Sequence, residues 1–297
     1  MTKRQKITII SIIIAPVIIG FLLYNKDFAG SGRNIPFGKQ GKQIGLVRIF
    51  DIIYTSEDYV KQLQELRKDK NVAGVIVRVN SPGGGVAPSQ EIYEEMMRYK
   101  EEEKPLVVSM GSVAASGGYY ISSPAVKIFA NPGTITGSIG VIFQFPHYYK
   151  LLDKIGIKMT TLKAGKLKDV GNPNRDLTEK EKEYLQILLD NTHEQFINDV
   201  CIAREMDREE LRKIADGRIF TGEQAVEEGL VDSLGGYSDA LSYLREYLNL
   251  PEKTKVIEKK KRPGLLREVL KEGLFKNIPF LNRNIISAGC YFLLENF

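Results

Sequence analysis

From Gln43 onward, apolar positions fall in short dense runs, separated by stretches in which they recur every three or four residues. The dense runs are Ile44-Gly-Leu-Val-Arg-Ile-Phe50, Val72-Ala-Gly-Val-Ile-Val-Arg-Val79, Pro105-Leu-Val-Val-Ser109 and Val126 to Ala130. Runs this short and this rich in β-branched residues predict strands of a parallel sheet covered on both faces. Between them, Ser56 to Lys68 and Pro88 to Tyr99 carry helical spacing, with Ser56 placed as an N-cap. The regular alternation predicts an α/β architecture. Further on, Leu177 to Asp216 reads as one long helix, opened by Thr178 with Glu181 three residues later in a capping-box pattern. Leu185, Leu188, Leu189, Phe196 and Ile197 mark the face expected to pack on the core. Thr221 to Gly236 predicts a short capped helix ending at Gly229, a strand Leu230-Val231 and a Gly-Gly turn, with no chemistry assigned to it.

The pattern changes at both ends. Ile7 to Tyr24 is an uncharged apolar run preceded by Lys3, Arg4 and Lys6. It reaches the length of a bilayer-spanning helix, about 17–25 residues, and exceeds the roughly 7–15 of a secretory h-region. Lys26 and Asp27 follow it directly, with Ala29-Gly30-Ser31 as the alternative cleavage site. The run therefore predicts an uncleaved transmembrane helix in contact with membrane lipid. Its leading basic residues place the bulk of the chain on the extracytoplasmic side of the cell membrane. The expected organisation is a stub and anchor over 1–24, a linker over 25–42, a soluble domain over 43–250 and an extension over 251–297. That extension is basic from Lys253 to Arg262, amphipathic from Leu265 to Phe275, and ends in an apolar run too short to span a bilayer. Both a subunit contact and a place in the membrane interface suit it.

Composition excludes several classes. The 42 Lys+Arg exceed the 37 Asp+Glu only mildly and are spread along the chain, so no nucleic-acid partner is expected. Cys201 and Cys290 have no ligand spacing, and His147 and His193 are the only imidazoles, so neither a metal site nor a cofactor is expected. The turn Asn80-Ser-Pro-Gly-Gly-Gly85 lacks the Lys-Ser/Thr ending of a phosphate loop.

That turn nevertheless closes a strand, and loops at the carboxyl ends of strands are where ligands bind in open α/β sheets. A second such place is Met110-Gly-Ser-Val-Ala-Ala-Ser-Gly-Gly-Tyr-Tyr120, a turn of small residues after the Pro105 strand. Ser116 is its candidate nucleophile, because free N–H groups at a helix start stabilise a developing oxyanion. The competing reading is close packing of small residues. A serine nucleophile needs a base, either histidine or lysine. His147 lies downstream in Phe145-Pro-His-Tyr-Tyr149, and Lys163, Lys166 and Lys168 lie in Thr161 to Val170. An exposed lysine is protonated at neutral pH, whereas burial lowers its pKa enough to make it a base.

Three stretches in order, Asn80-Ser-Pro-Gly-Gly, Gly111-Ser-Val-Ala-Ala-Ser-Gly-Gly-Tyr-Tyr and Thr136-Gly-Ser-Ile-Gly-Val, resemble the signal peptide peptidase A family of membrane-bound serine proteases. Ala164-Gly-Lys-Leu-Lys-Asp169 and Phe220 to Gly236 extend the resemblance, which covers roughly Gln43 to Leu248. It implies a ClpP/crotonase-like α/β fold behind the N-terminal transmembrane helix. It also implies a Ser/Lys dyad, with Ser116 as nucleophile, Lys168 as general base and Lys166 as the fallback. Gly83 and Gly117 are the implied oxyanion donors. The implied assembly is a homo-oligomeric ring in which dyads can be completed between subunits. Its implied substrates are cleaved signal peptides and other unfolded or apolar peptide segments. Two alternatives stay open: an acyl-CoA hydrolase or isomerase of the crotonase type, and a non-catalytic membrane scaffold related to the stomatin-partner proteases.

Overall fold

The computed structural model describes residues 42–259 and the backbone of 291–293. The run 7–24, most of the linker and most of the extension lie outside the described residues. Among the described residues no helix is long and apolar enough to cross a membrane. The strands are β1 (Gln43–Phe50), β2 (Val72–Ser81), β3 (Gly83–Gly85), β4 (Leu106–Ala115), β5 (Lys127–Ala130), β6 (Ile135–Gly137), β7 (Ile219–Thr221), β8 (Ser233–Leu234), β9 (Val256–Glu258) and β10 (Tyr291–Leu293). Eight of them form one sheet, whose spine runs β7-β6-β4-β2-β1-β9. Pairing is parallel except between β6 and β7, giving the mixed α/β sheet expected from strands that alternate with helices.

β4 divides its outer flank between two partners. Val107 to Ser109 pairs with β5, and Val113 to Ala115 pairs with β6. This strand is longer than the Pro105–Ser109 run suggests, because the small residues Gly111 to Ala115 continue it where larger side chains would not fit. A Cβ on Gly111, for example, would lie 2.4 Å from Asn80 Oδ1.

The helices are α1 (Glu57–Lys68), α2 (Val86–Glu101), α3 (Gly117–Ser122), α4 (Tyr149–Lys154), α5 (Glu179–Arg204), α6 (Arg208–Ile214), α7 (Gly222–Glu227) and α8 (Tyr237–Tyr247). One core joins the sheet to α1, α2, α3 and the second half of α5, through Leu63, Leu66, Ile92, Met96, Tyr119, Phe196 and Val200. A smaller cluster on the other face seats Ala240 and Leu244 of α8 against Ile44, Leu46, Ile76, Val107 and Phe129.

Three sequence expectations are corrected. Ser56 precedes α1, but its hydroxyl bonds the Glu91 carboxylate instead of capping the helix. The long helix stops at Arg204, where Glu205 turns left-handed, and α6 restarts with Asp207 accepting from Glu209 and Glu210. The apolar face of α5 is buried only over its second half, at Phe196 and Ile197, since Leu188 is 40% exposed. The strand expected at Leu230-Val231 is shifted to Ser233–Leu234, because Leu230 and Val231 are drawn into the core. The capping boxes at Thr178 and Thr221 are both formed.

Candidate active site

The carboxyl ends of β2 and β4 meet at one place. β4 and β2 slip register between Val79 and Ser81, so that Ser81 faces Ala114. The Asn80 side chain fills the slip, its Oδ1 accepting from the amides of Ser112 (2.8 Å) and Val113 (3.2 Å). The chain then leaves the main sheet as β3, while β4 ends at Ala115 and Ser116 follows it.

Ser116 adopts φ 52° and ψ −119°, a conformation that costs a non-glycine residue about 1–3 kcal/mol. Two bonds hold it there. Its amide donates to Gly137 O (2.7 Å), and its carbonyl accepts from Tyr120 N (2.8 Å), opening α3. The residue is 1% exposed, and Oγ has no hydrogen-bond partner among the described residues. A buried hydroxyl without a partner is destabilising, so Ser116 stands out among the buried polar groups of the domain.

Gly117 packs directly against the glycine strand. A Cβ on it would lie 3.1 Å from both Gly83 Cα and Gly84 N. The Gly83 amide donates to Ser81 Oγ at 3.1 Å. On the side of Ile53, Gly83 O and Gly85 N are each engaged at 2.8 Å. Strand alternation then turns the N–H and C=O of Gly84 toward the opposite edge. There β10 lies antiparallel, with Tyr291, Phe292 and Leu293 facing Gly85, Gly84 and Gly83, and it also lies against α3. Sequence reasoning singled out Gly83 and Gly117 but missed Gly84. A Cβ there would fall 2.1 Å from Ile53 O, a clash no composition pattern reveals.

None of the candidate lysines hydrogen-bonds Ser116 among the described residues. Residues 143–176 form an arm with one short helix, α4, in which Lys163, Lys166 and Lys168 are exposed. Lys163 is paired with Asp169, while Lys166 and Lys168 have no ion pair among the described residues. Arg175 ties the arm to α5, bonding Asp169 and both oxygens of Glu181 (2.5 and 2.7 Å). Those contacts hold the Asp169 and Glu181 carboxyls well below their ordinary range, Glu181 at about 2. The arm also exposes apolar side chains, among them Leu151, Ile155, Met159 and Leu162, the last 93% accessible. His147 is exposed and pairs with Asp176 (3.3 Å). His193 Nε2 donates to Ile139 O (3.1 Å), a structural hydrogen bond between α5 and the chain after β6. Neither imidazole hydrogen-bonds Ser116.

Comparison with known proteins bears on this geometry. The profile of Peptidase family S49 matches residues 98–251, and that of Clp protease matches residues 51–132. The chain is 43% identical over 207 residues to the Enterococcus faecium protein named "Putative signal peptide peptidase SppA", covering 70% of this chain and 60% of that one. It is 42% identical over 190 residues to "Putative protease slr0021" of Synechocystis, covering 64% of this chain and 68% of that one. It is 38% identical over 191 residues to "Protease 4" of Salmonella typhi, covering 64% of this chain and 31% of that one. The chain thus spans about three fifths of the Enterococcus relative's length.

Proposed function

The chain belongs to peptidase family S49, and on that premise we propose that it is a serine endopeptidase acting on extended peptides. The observation that carries this reading is the strand 291–293 lying antiparallel on β3, beside the helix that starts at Ser116. An edge that accepts one strand of this chain accepts another peptide by the same main-chain hydrogen bonds. In the proposed reaction Ser116 Oγ attacks the peptide carbonyl while a lysine takes its proton. The oxyanion is met by the N–H of Gly117 and by the Gly83-Gly84 turn. The lysine then passes the proton to the leaving amine, and water hydrolyses the acyl-enzyme.

Lys168 is the proposed base, with Lys166 as the fallback, supplied by a neighbouring copy of the chain. Among the described residues Ser116 Oγ is buried and unpartnered while Lys168 is exposed on an arm with an apolar surface. Packing that arm against a neighbour removes apolar surface from water and desolvates the ammonium group, which lowers its pKa toward that of a working base. A closed homo-oligomeric ring is the assembly that supplies every site in this way. Residues 7–24 anchor the ring in the membrane with the catalytic domain outside the cytoplasm, a setting suited to signal peptides and other apolar segments. A C-terminal reporter active only in the cytoplasm would overturn that orientation.

The test is labelling by a fluorophosphonate together with cleavage of a peptide and of an acyl thioester. Labelling that disappears in Ser116→Ala, with turnover of the peptide only, is expected. Thioester turnover without peptide cleavage would reassign the site to crotonase-type chemistry, and absence of labelling would leave a scaffold.

A further inference from the structure

α3 has six residues and opens without a side-chain cap, too short a helix to fix its own rotation. Two tyrosine hydroxyls extend from it into the C-terminal half of the domain. Tyr119 donates to the carbonyl of Leu230 at 3.1 Å, and Tyr120 donates to Asp199 Oδ2 at 2.5 Å. The second is charge-assisted and roughly twice as strong as a neutral bond. Tyr120 is also the residue whose amide takes up the carbonyl of Ser116, so its side chain and the nucleophile are joined through one turn.

Asp199 is itself held by its surroundings. It lies on α5, and its carbonyl accepts from Tyr93 of α2 at 2.8 Å. The Tyr93 and Tyr120 ring centroids are 4.8 Å apart, and Phe196 meets Tyr120 edge-on at 4.9 Å. Burial pushes the Asp199 carboxyl above its ordinary range, and the Tyr120 hydroxyl offsets part of that cost. A half-buried carboxylate whose strongest donor is a neutral hydroxyl is an expensive way to make a structural contact. α5 carries Glu181 as well, about 27 Å away at the helical rise, where the lysine-bearing arm is tied. One rod therefore meets the nucleophile turn near one end and the arm at the other.

We infer that Asp199 is a positioning residue for the Ser116 reaction. Through Tyr120 its carboxylate sets the rotation of α3, and with it the aim of Ser116 Oγ and of the Gly117 N–H. This rests on the peptidase reading of Ser116.

The test uses the full chain with Tyr120→Phe, Asp199→Asn and Asp199→Ala. Tyr99→Phe is the control, since it deletes the hydroxyl bond of a tyrosine as buried as Tyr120, made to Leu63 O of α1 at 2.5 Å rather than from α3. Fluorophosphonate labelling rate, kcat and KM for a peptide, and unfolding temperature are measured. Tyr120→Phe and Asp199→Ala are expected to slow labelling and lower kcat at least about tenfold, with KM held within about twofold. Asp199→Asn, whose amide oxygen still accepts, should fall between wild type and Asp199→Ala. Tyr99→Phe should lower the unfolding temperature and leave labelling unchanged. Equal labelling of wild type and Tyr120→Phe, or equal slowing by Tyr99→Phe, overturns the inference. Failure of the unmodified chain to label would overturn the peptidase reading instead.

Discussion

The amide of Ser116 donates to the carbonyl of Gly137 across 2.7 Å, so the candidate nucleophile is steadied from β6 rather than from its own strand. Thr136 strengthens the same junction, its hydroxyl donating to Ala114 O at 2.6 Å. Gly137 has φ +74°, and a Cβ there would sit 2.6 Å from the Phe220 ring. Gly137→Ala is therefore expected to destabilise the domain by about 1–3 kcal/mol and to slow labelling of Ser116. Urea unfolding and the labelling rate check both.

Ser116→Ala should remove peptide cleavage, by at least about a thousandfold, while leaving the unfolding temperature unchanged or raised. The hydroxyl it deletes has no hydrogen-bond partner among the described residues. Calorimetry beside an activity assay distinguishes this from a variant that has simply unfolded.

If a neighbour supplies the lysine, two inactive chains can rescue one another. Ser116→Ala and Lys168→Ala proteins, each inactive alone, should regain activity when dissociated together and allowed to reassemble. Random mixing brings the intact serine of one to the intact lysine of the other at about a quarter of the junctions. Titration of one variant into the other measures that fraction.

The arm should loosen in acid. Glu181 has a folded pKa held at about 2 by Arg175, against an ordinary 4.5. Its stabilising contribution is complete above 4.5 and disappears as pH falls from there toward 2. Proteolysis or hydrogen exchange within 143–176 should rise across that window, and Glu181→Gln should flatten the rise.

Deleting residues 288–297 should raise kcat/KM for short peptides several-fold, about 2–10, by vacating the β3 edge that 291–293 fills. Initial-rate measurements on both forms check it.

The strands were legible because a sheet covered on both faces needs unbroken apolar runs, as Val75 to Val77 and Leu106 to Val108 show. The cap at Thr178 was legible because its partner lies three residues away. What could not be read depends on distant contacts. The break at Glu205 is a left-handed residue inside a continuous helical pattern. Leu188 has the spacing of a core residue and lies on the surface, since periodicity marks an apolar face without naming what covers it. Ser116 could be picked out in a turn of small residues after a strand, while Gly83 and Gly117 came only with the family resemblance. That Asn80 fills the slip between β2 and β4, and that Gly84 faces the edge taken by 291–293, follows only from strand pairing.

β3 belongs to a two-stranded sheet of its own, joined to the preceding chain by the bridge between Ile53 and Gly84. An occupant of that edge can arrive and depart without breaking a rung of the eight-stranded ladder. If a peptide takes that edge as proposed, the exchange gives up only the three-residue pairing with 291–293, and the cooperativity of the main sheet is insulated from it.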